Sequence, residues 1–310
     1  MALLPSGRSA EAMITRASIG ALSFQLLVVI AAVAAAPPVA LPGCPERCGN
    51  ITVPYPFGTR QGCFREGFNL TCVETPGRPA KLLVSDGVEV VGISLPDGTV
   101  RIRTKMLSFS SFSPNATVSV AWPVAGLMAA GRFTVSTRHN RFVAMGCNLL
   151  ASLVDRDEAL DSDNYVSVCA TLCADGGDTS CSGVSCCQTA IARGLASYGV
   201  RISDLAARSS DRSSSEFGAV FIADQEWFGE ARTVLQLDYF GEQQKTVDMT
   251  VIPTVLELSL DRSRDRGQRC ISLNSDIVYD VVGSTIGRAR CNCSKGYEGN
   301  PYIANGCQGI

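Results

Sequence analysis

The sequence predicts a mainly β protein built from small disulfide-rich modules in tandem. Fourteen cysteines lie in a chain of 310 residues, and all of them follow an apolar N-terminal run. Between the first two groups of cysteines, Ser108 to Met145 is rich in alternating β-branched and aromatic residues and shows no helical period, which is typical of short strands. A limited amount of helix is expected only around Cys187 to Tyr198.

Composition narrows the classes of function. The hydrophobic fraction is 46% and the charged fraction is 18%, which is typical of a chain that folds rather than one that stays disordered. A formal net charge of −2 does not provide the concentrated basic surface that neutralises phosphates. We therefore expect no nucleic-acid partner.

The N-terminal segment predicts export. Arg8 and Arg16 precede an apolar run, Ala17 to Ala36, which ends in small residues and is followed by Pro37 and Pro38. This is the pattern of a secretory signal peptide over residues 1–36, and it predicts a secreted, extracellular protein. Because about 20 apolar residues can just cross a bilayer, the alternative is an uncleaved anchor that keeps the protein on the membrane.

Cysteine usage agrees with export. An even number of cysteines in a chain that enters an oxidising compartment predicts disulfides rather than zinc ligands, although the spacing leaves the pairing open. The cysteines form three clusters: Cys44, Cys48, Cys63 and Cys72; Cys147, Cys169, Cys173, Cys181, Cys186 and Cys187; and Cys270, Cys291, Cys293 and Cys307. Sequons at Asn50, Asn69 and Asn115 predict N-glycans, while a fourth at Asn292 lies between two cysteines and is a weaker acceptor.

The clearest local prediction is a hairpin. Val88 to Leu95 and Thr99 to Met106 flank Pro96-Asp97-Gly98, and Asp-Gly between β-rich runs favours a two-residue turn. In that register the apolar face pairs Leu95 with Val100, Ile93 with Ile102 and Val91 with Thr104. The other face carries Arg101, Arg103 and Lys105, about 6.8 Å apart. We call these three residues the basic stripe, and we expect it to be open, so that loss of its charge leaves the core undisturbed.

One motif identifies a family. Cys44-Pro-Glu-Arg-Cys48-Gly-Asn50 leads into Ile51-Thr-Val-Pro54-Tyr55-Pro56-Phe57-Gly58, and then into Gly62-Cys63 and Phe68-Asn69-Leu-Thr-Cys72. This combination resembles the galacturonan-binding domain of plant wall-associated receptor kinases. Its prolines fix an extended backbone that Gly58 releases, and we expect a rigid, presented loop.

The resemblance extends along most of the chain. Thr137-Arg-His-Asn140-Arg-Phe142 resembles a later segment of these receptors, and Cys181-Ser-Gly-Val-Ser-Cys186-Cys187 resembles their second cysteine-rich module. Cys291-Asn-Cys293 to Cys307 resembles their EGF-like repeat, although this chain has Asp276 and Ile277 where that repeat places a cysteine.

The resemblance implies an order of domains. A galacturonan-binding cysteine-rich domain is expected at 44–107, a β-rich connecting segment at 108–150, a second cysteine-rich module at 165–258 and a partial EGF-like unit at 270–310. In the family the chain continues into a calcium-binding repeat, a membrane span and a kinase. The sequence therefore fits either a stand-alone secreted form or part of a receptor.

The resemblance also implies a ligand, which is pectic polysaccharide such as homogalacturonan or oligogalacturonides. Arginine forms bidentate, charge-assisted hydrogen bonds with carboxylates, so the basic stripe is the first candidate contact, extended by Arg60, Arg65 and Lys81. Alternating charges also occur on any solvated sheet face, and Tyr55 and Phe57 either stack on sugar rings or are buried. The other class of function left open is a structural or protein-interaction module that binds a peptide or co-receptor.

No catalytic arrangement is evident in the sequence. The chain has one histidine, His139, so a Ser-His-Asp or Cys-His arrangement depends on it alone, and no G-x-S-x-G motif accompanies it. Thiols in an exported chain are oxidised rather than bound to zinc. We expect no enzymatic activity, no metal and no cofactor.

Overall fold

The fold comes from a computed structural model, which describes residues 37–85, 87–110, 117–121, 132–155, 164–172, 180–192, 194–195, 198–205, 217–231, 251–258, 270–282 and 285–310. The predicted signal peptide, Asn115 and Cys173 lie outside these residues. In chain order the strands are β1 (Arg47–Cys48), β2 (Ile51–Thr52), β3 (Thr71–Val73), β4 (Lys81–Val84), β5 (Val88–Ser94), β6 (Thr99–Lys105), β7 (Leu107–Ser110), β8 (Thr117–Ala121), β9 (Phe133–Val135), β10 (Asn140–Met145), β11 (Leu149–Asp155), β12 (Tyr165–Thr171), β13 (Ser182–Val184), β14 (Cys186–Ala190), β15 (Tyr198–Asp204), β16 (Phe217–Asp224), β17 (Val251–Leu258), β18 (Ser275–Val282), β19 (Thr285–Cys293), β20 (Tyr297–Gly299) and β21 (Cys307–Gly309). One helix, α1, spans 225–231 within the described residues.

Three antiparallel sheets form the body of the molecule. Sheet I has the strand order β3-β4-β5-β6-β17-β9, sheet II has β13-β14-β10-β16-β7, and sheet III has β12-β11-β15-β8. Two-stranded ribbons join β1 to β2, β18 to β19 and β20 to β21. The prediction of a mainly β, disulfide-rich fold is confirmed, and so are short strands within Ser108 to Met145.

The prediction of helix around Cys187 to Tyr198 is wrong. Strand β14 occupies the start of that range and pairs with β10 along its whole length. Cys187 also forms a disulfide with Cys169 on β12. Pairing with distant strands therefore overrides the local preference of this segment.

The core runs through all three sheets. Buried side chains from each sheet belong to one hydrophobic cluster in the described chain, for example Ile102 in sheet I, Phe142 in sheet II and Leu153 in sheet III. Alternate residues of β6 point into this cluster, so that Val100, Ile102 and Thr104 are buried while the residues between them are exposed. This alternation is the one predicted from the sequence.

Sheet I takes two of its strands from distant parts of the chain. Strand β17 pairs with β6 from Val251 opposite Lys105 to Glu257 opposite Thr99, and β9 pairs with the end of β17. The hydroxyl of Thr254 on β17 lies 2.8 Å from that of Thr104 and donates to the carbonyl of Ile222 in sheet II at 2.9 Å. Sheets I and II are therefore joined by buried hydrogen bonds.

Asn140 also joins these two sheets. Its side-chain amide donates to the carbonyl oxygen of Val255 at 2.7 Å, and its side-chain oxygen accepts from the Val255 N–H at 2.9 Å. The amide thus takes the place of a neighbouring strand where β9 does not reach, and it satisfies a buried backbone pair. We therefore assign the segment around Asn140 a structural role.

The register predicted for the β5–β6 hairpin is wrong, although the face predicted for each β6 residue is right. Ile93 lies opposite Val100 and Gly92 opposite Arg101, with a shift in the register between Val90 and Gly92. The connection is a four-residue turn, closed by the Gly98 N–H donating to the Leu95 carbonyl at 3.0 Å. Leu95 is buried, and the resulting bulge turns Val90, rather than Val91, into the core.

Among the described residues, six disulfides pair cysteines of the same cluster. The described bonds are Cys44–Cys63, Cys48–Cys72, Cys169–Cys187, Cys181–Cys186, Cys270–Cys291 and Cys293–Cys307. Cys147 is also disulfide-bonded. None of the cysteines in the described residues is a free thiol.

The C-terminal ribbons contact the N-terminal segment. The Asn300 side chain donates to the carbonyl oxygens of Val39 at 2.8 Å and Tyr55 at 2.7 Å, and Arg290 donates to the carbonyl of Pro96 in the β5–β6 turn at 2.9 Å. Residues from Pro37 onward accordingly form one compact unit. In the described part of this unit, no helix has the length and apolar character needed to cross a membrane.

Candidate functional site

The basic stripe lies on the outward face of β6, in the middle of sheet I. Arg101, Arg103 and Lys105 are all exposed, and the buried residues between them hold the strand against the core. Neighbours on β17 are uncharged, with Pro253 opposite Arg103 and Val251 opposite Lys105. The strand therefore presents cations at every second position along a face without acidic residues directly opposite on β17.

Arg101 is occupied by an internal partner. Its Nη2 lies 2.5 Å from Oδ2 of Asp224, whose side chain is 2% exposed. The contact is an ion pair without the angles of a hydrogen bond, since Oδ2 has no hydrogen-bond partner. Oδ1 of the same carboxylate accepts from the backbone N–H of Glu226 at 2.9 Å and of Trp227 at 3.4 Å, and so caps helix α1.

Arg101 thus supplies the counter-charge of a buried carboxylate. A carboxylate removed from water is costly unless a cation lies beside it. The expectation that the whole stripe is open is therefore wrong for Arg101. Its charge supports the junction between β6, the end of β16 and helix α1.

Arg103 and Lys105 are the open cations of the stripe. Neither has an ion-pair or hydrogen-bond partner for its side chain in the part of the chain that the structure describes. Their Cα atoms lie about 6.8 Å apart along the strand. A ligand can approach both from solvent without displacing an internal contact.

Lys81 lies on the same outward face, two strands away on β4. Its Nζ is 3.2 Å from Oε2 of Glu89 on β5, and its side chain is 59% exposed. Adjacent strands are about 4.8 Å apart, so β4 and β6 run roughly 10 Å from each other. Lys81 is therefore close to the stripe but is already partnered by a carboxylate.

Arg60 and Arg65 belong to the segment between β2 and β3 and not to sheet I. Arg60 is exposed and donates to the carbonyl of Gly43. Arg65 is half-buried and lies near Tyr302, a buried residue of the C-terminal unit. Burial raises the pKa of Tyr302, while the Cys291 N–H that it accepts and the charges of Arg290 and Arg65 act in the opposite direction.

The Pro54-to-Gly58 segment is buried, which corrects the expectation of a presented loop. Phe57 packs edge-on against Phe68 at 5.3 Å between ring centroids and stacks with Phe133 at 6.3 Å. A Cβ on Gly58 would lie 2.3 Å from the carbonyl oxygen of Cys63. The motif therefore closes the core around the Cys44–Cys63 disulfide, and Phe57 is unavailable for stacking on a sugar.

His139 lies in a polar cluster whose hydrogen bonds do not follow the order of a catalytic triad. The Ser136 hydroxyl lies 3.0 Å from Nδ1 of His139 and donates to Oε1 of Glu257 at 2.7 Å. Ser136 is fully buried, and the carboxylate contacts the serine rather than the histidine. A triad needs an exposed nucleophile and a carboxylate that orients the histidine, so this cluster fits a structural role.

Two predicted glycan sites can be placed. Asn50 and Asn69 are both exposed, which is the accessibility that a glycan requires. Among the described residues, no group of three or more His, Cys, Asp or Glu side chains is arranged to hold a metal ion.

Asp224 and Asn300 are the important residues that sequence reasoning missed. Asp224 lies immediately before a helix, and an N-cap aspartate is a readable signal, but its pairing with Arg101 spans more than a hundred residues and leaves no local trace. Asn300 lies in the Gly299-Asn300-Pro301-Tyr302 stretch, which in sequence resembles part of an EGF-like repeat and gives no sign of a distant contact. Its two carbonyl partners are likewise distant in sequence.

Comparison with known proteins shows which family the chain resembles. Residues 44–104 match the family described as wall-associated receptor kinase galacturonan-binding, a stretch that runs from the first disulfide into the basic stripe. The chain is 29% identical to wall-associated receptor kinase 2 of Arabidopsis thaliana over 272 residues, which is 86% of this chain and 34% of that protein.

The chain is similar to several wall-associated receptor kinases over most of its own length. It is 30% identical to wall-associated receptor kinase 4 of Arabidopsis thaliana, over 87% of this chain and 35% of that protein. It is also 27% identical to the Arabidopsis wall-associated receptor kinase-like 10, over 93% of this chain and 41% of that protein. The chain thus spans about a third to two fifths of the length of these receptor kinases. No solved structure matches it significantly.

Proposed function

We propose that this wall-associated-kinase-like chain is an extracellular binding protein for polygalacturonate and contacts it through the outward face of sheet I. The observation that carries the proposal is the coincidence of two features. The match to the galacturonan-binding family ends within β6 at residue 104, and that strand presents Arg103 and Lys105 to solvent.

The chemistry of the face suits a polymer of uronic acids. Polygalacturonate carries a carboxylate on every sugar, and Arg103 offers a planar fork of donors that matches one carboxylate, while Lys105 offers a compact charge for another. Both side chains point the same way from a strand that the core holds in place, so their spacing is set before the ligand arrives. Lys81 lies at the margin of this face and Arg101 supports it from within.

The other predicted contacts rank lower. Arg60 and Arg65 are outside sheet I, and Arg65 is half-buried beside the C-terminal unit. We propose them only as contacts for a polymer that extends beyond the β6 face. The proposed extracellular setting also makes Asn50 and Asn69 sites for N-glycans.

Matched polymers test the function. Retention on de-esterified pectate is expected to exceed retention on fully methyl-esterified pectin, because methylation removes the carboxylates and leaves the sugars. Raising the salt from about 0.1 M to about 0.5 M should release the protein, since exposed ion pairs are screened. Equal retention on both polymers, or on neutral dextran, contradicts the proposal.

A protein-interaction function is supported by a different surface. The C-terminal unit exposes Ile271 and Leu273, the latter with 82% of its surface accessible, and exposed apolar groups of this kind favour protein partners. Such a function predicts association that persists at high salt. Capture of a partner through Leu273 but none of pectate would favour this second candidate.

A further inference from the structure

We infer that the outward face of sheet III carries a second ligand site, one that binds a carboxylated sugar. A cavity of about 320 Å³ lies on this face and is lined by Leu150, Ser152, Tyr165, Val168, Arg201 and Ser203. Its volume is at the lower end for small-molecule sites. The inference is independent of the function proposed for sheet I, since the two faces share no residue.

Strand pairing brings these side chains together. Ser152 on β11 lies opposite Val168 on β12 and opposite Arg201 on β15, so the three form one row across the sheet. Leu150 lies opposite Ser203 in the next row. Residues directly opposite one another in antiparallel strands point to the same face, which places a guanidinium and two hydroxyls beside two apolar side chains.

A bulge places the tyrosine. The register shifts so that Ser167 lies opposite Leu153 while Tyr165 lies opposite Val154, which leaves Val166 as the extra residue on β12. Regular alternation from Val168 would point Val166 outward and Tyr165 inward. Instead Val166 is buried and Tyr165 is 54% exposed. Bulges often re-aim a side chain at a functional site.

The outward face of sheet III is open to solvent and carries large apolar side chains. Tyr165 and Val168, at 54% and 48% exposure, are among the large apolar side chains left in solvent by the described chain. The opposite face of the same strands is buried, as shown by Cys169, Leu153 and Val200. An exposed aromatic ring beside an arginine is therefore a feature of the outward face alone.

The combination of groups selects the ligand. A tyrosine ring offers a flat apolar surface with a polar edge, which suits the C–H face of a pyranose. The arginine offers a bidentate partner for a carboxylate, and the serines offer hydroxyl partners for sugar hydroxyls. Arg201 and Ser203 each make a further interaction within the fold. A guanidinium has five N–H donors, so an arginine can hold a contact within the fold and a ligand carboxylate at the same time.

Digalacturonic acid is the direct probe, with galactobiose as its neutral counterpart. Titrations use the full chain carrying Arg103→Gln and Lys105→Gln, so that the face of sheet I does not contribute. We expect this background to bind the acid and not the neutral sugar. Adding Arg201→Gln should weaken binding about tenfold or more, and adding Tyr165→Ala should weaken it roughly threefold to tenfold.

Matched variants and alternative outcomes make the result decisive. Arg138→Gln removes one exposed charge elsewhere, and Tyr297→Ala removes an exposed tyrosine of the C-terminal unit, and both should leave the affinity unchanged. Tyr165 is exposed, so its removal keeps the inference testable if Arg201→Gln does not fold. Unchanged affinity for digalacturonic acid in folded Tyr165→Ala overturns the inference. No binding of the acid by the Arg103→Gln/Lys105→Gln protein also overturns it. So does tighter binding of a peptide with a free terminal carboxylate than of the sugar. Loss of pectate retention alone bears on sheet I and not on this site.

Discussion

At the level of single residues, two arginines that look equivalent in the sequence differ in their partners in the structure. Arg101 and Arg103 stand two apart on the same face of β6. In the described chain, Arg101 pairs with a carboxylate and Arg103 does not. The carboxylate, that of Asp224, is buried and also caps helix α1. The distinction comes from Asp224, far along the chain, and no local pattern contains it.

The two arginines should therefore differ in stability when mutated. Arg101→Gln is expected to lower the free energy of unfolding by about 1–3 kcal/mol, because Asp224 loses its counter-charge, while the half-exposed position of Arg101 keeps the loss below that of a fully buried pair. Arg103→Gln, the matched control on the same strand, should stay within about 0.5 kcal/mol. Denaturant unfolding with disulfides intact measures both. Equal losses would show that the Asp224 contact contributes nothing.

The buried side chain of Tyr302 should make the stability of the protein depend on pH in the alkaline range. Burial raises its pKa above 10.0 in the folded protein, so the unfolded chain ionises first as the pH rises. Its contribution to stability is complete below pH 10.0 and is lost as the pH climbs through the raised value.

Comparing the wild type with Tyr302→Phe isolates this effect. Stability of the wild type should fall more steeply between about pH 9 and about pH 11 than that of the variant. At neutral pH the variant should be less stable by about 1–3 kcal/mol, because the buried Cys291 N–H loses its acceptor. Parallel pH curves for the two proteins would argue against a buried, neutral Tyr302.

At the scale of elements, the central strand β6 was the most predictable part of the fold. The alternation of Val100 and Ile102 with charged residues sets the faces of the strand, because side chains alternate along any strand. The turn was less predictable. Asp97-Gly98 favours a two-residue loop locally, but Leu95 is drawn into the core and the Leu258 N–H donates to the Gly98 carbonyl at 2.8 Å, and these distant contacts select the longer turn.

The partner of β6 on its other side could not be predicted at all. Strand β17 lies roughly 150 residues later, and Asn140 of β10 hydrogen-bonds the backbone of its residue Val255 from the side. In the same way, the outward aim of Tyr165 depends on a bulge whose position is set by pairing with β11. Pairings between distant strands leave no signal in a single sequence.

The contact between Asn140 and the backbone of Val255 can be tested by mutation. Asn140→Ala removes the acceptor of the buried Val255 N–H, while the Val255 carbonyl still accepts from the Ser136 N–H at 3.0 Å. The variant should therefore lose about 1–3 kcal/mol of stability, because one buried backbone donor is left unsatisfied. Hydrogen exchange should then show faster opening of β17 than of β11 in sheet III, which Asn140 does not touch. A loss below about 0.5 kcal/mol would mean that the amide is not needed to hold β17.

At the scale of the whole molecule, the six described disulfides stay within their clusters but the sheets do not. Sheet I contains strands from both sides of the second cluster, and Asn300 fastens the C-terminal unit to the carbonyls of Val39 and Tyr55. The resemblance predicted the order of cysteine-rich modules along the chain. Buried polar contacts between distant residues determine how these modules pack together, and the sequence does not show them. The boundaries 44–107, 108–150, 165–258 and 270–310 stay predictions.

Proteolysis tests the attachment of the C-terminal unit. Asn300→Ala removes the donor of the Tyr55 carbonyl and one of the two donors of the Val39 carbonyl, which keeps the Tyr55 N–H. The region between Cys270 and Cys307 should become markedly more sensitive to limited digestion, because local opening becomes less costly. The exposed residue Lys295 gives a control, since Lys295→Gln alters the same unit without touching this contact. Equal digestion of the Asn300→Ala protein and the control would contradict the role assigned to Asn300.

Binding of polygalacturonate to the outward face of sheet I through Arg103 and Lys105 can be tested by a single affinity measurement. The double variant Arg103→Gln/Lys105→Gln is compared with Arg138→Gln/Lys295→Gln, which removes the same charge from exposed positions outside residues 44–104. Each exposed contact contributes about 0.2–1 kcal/mol, so we expect the first variant to bind pectate roughly twofold to thirtyfold more weakly at low salt. The second variant should bind like the wild type. Equal affinity of the two folded variants for pectate would show that Arg103 and Lys105 do not bind the polymer.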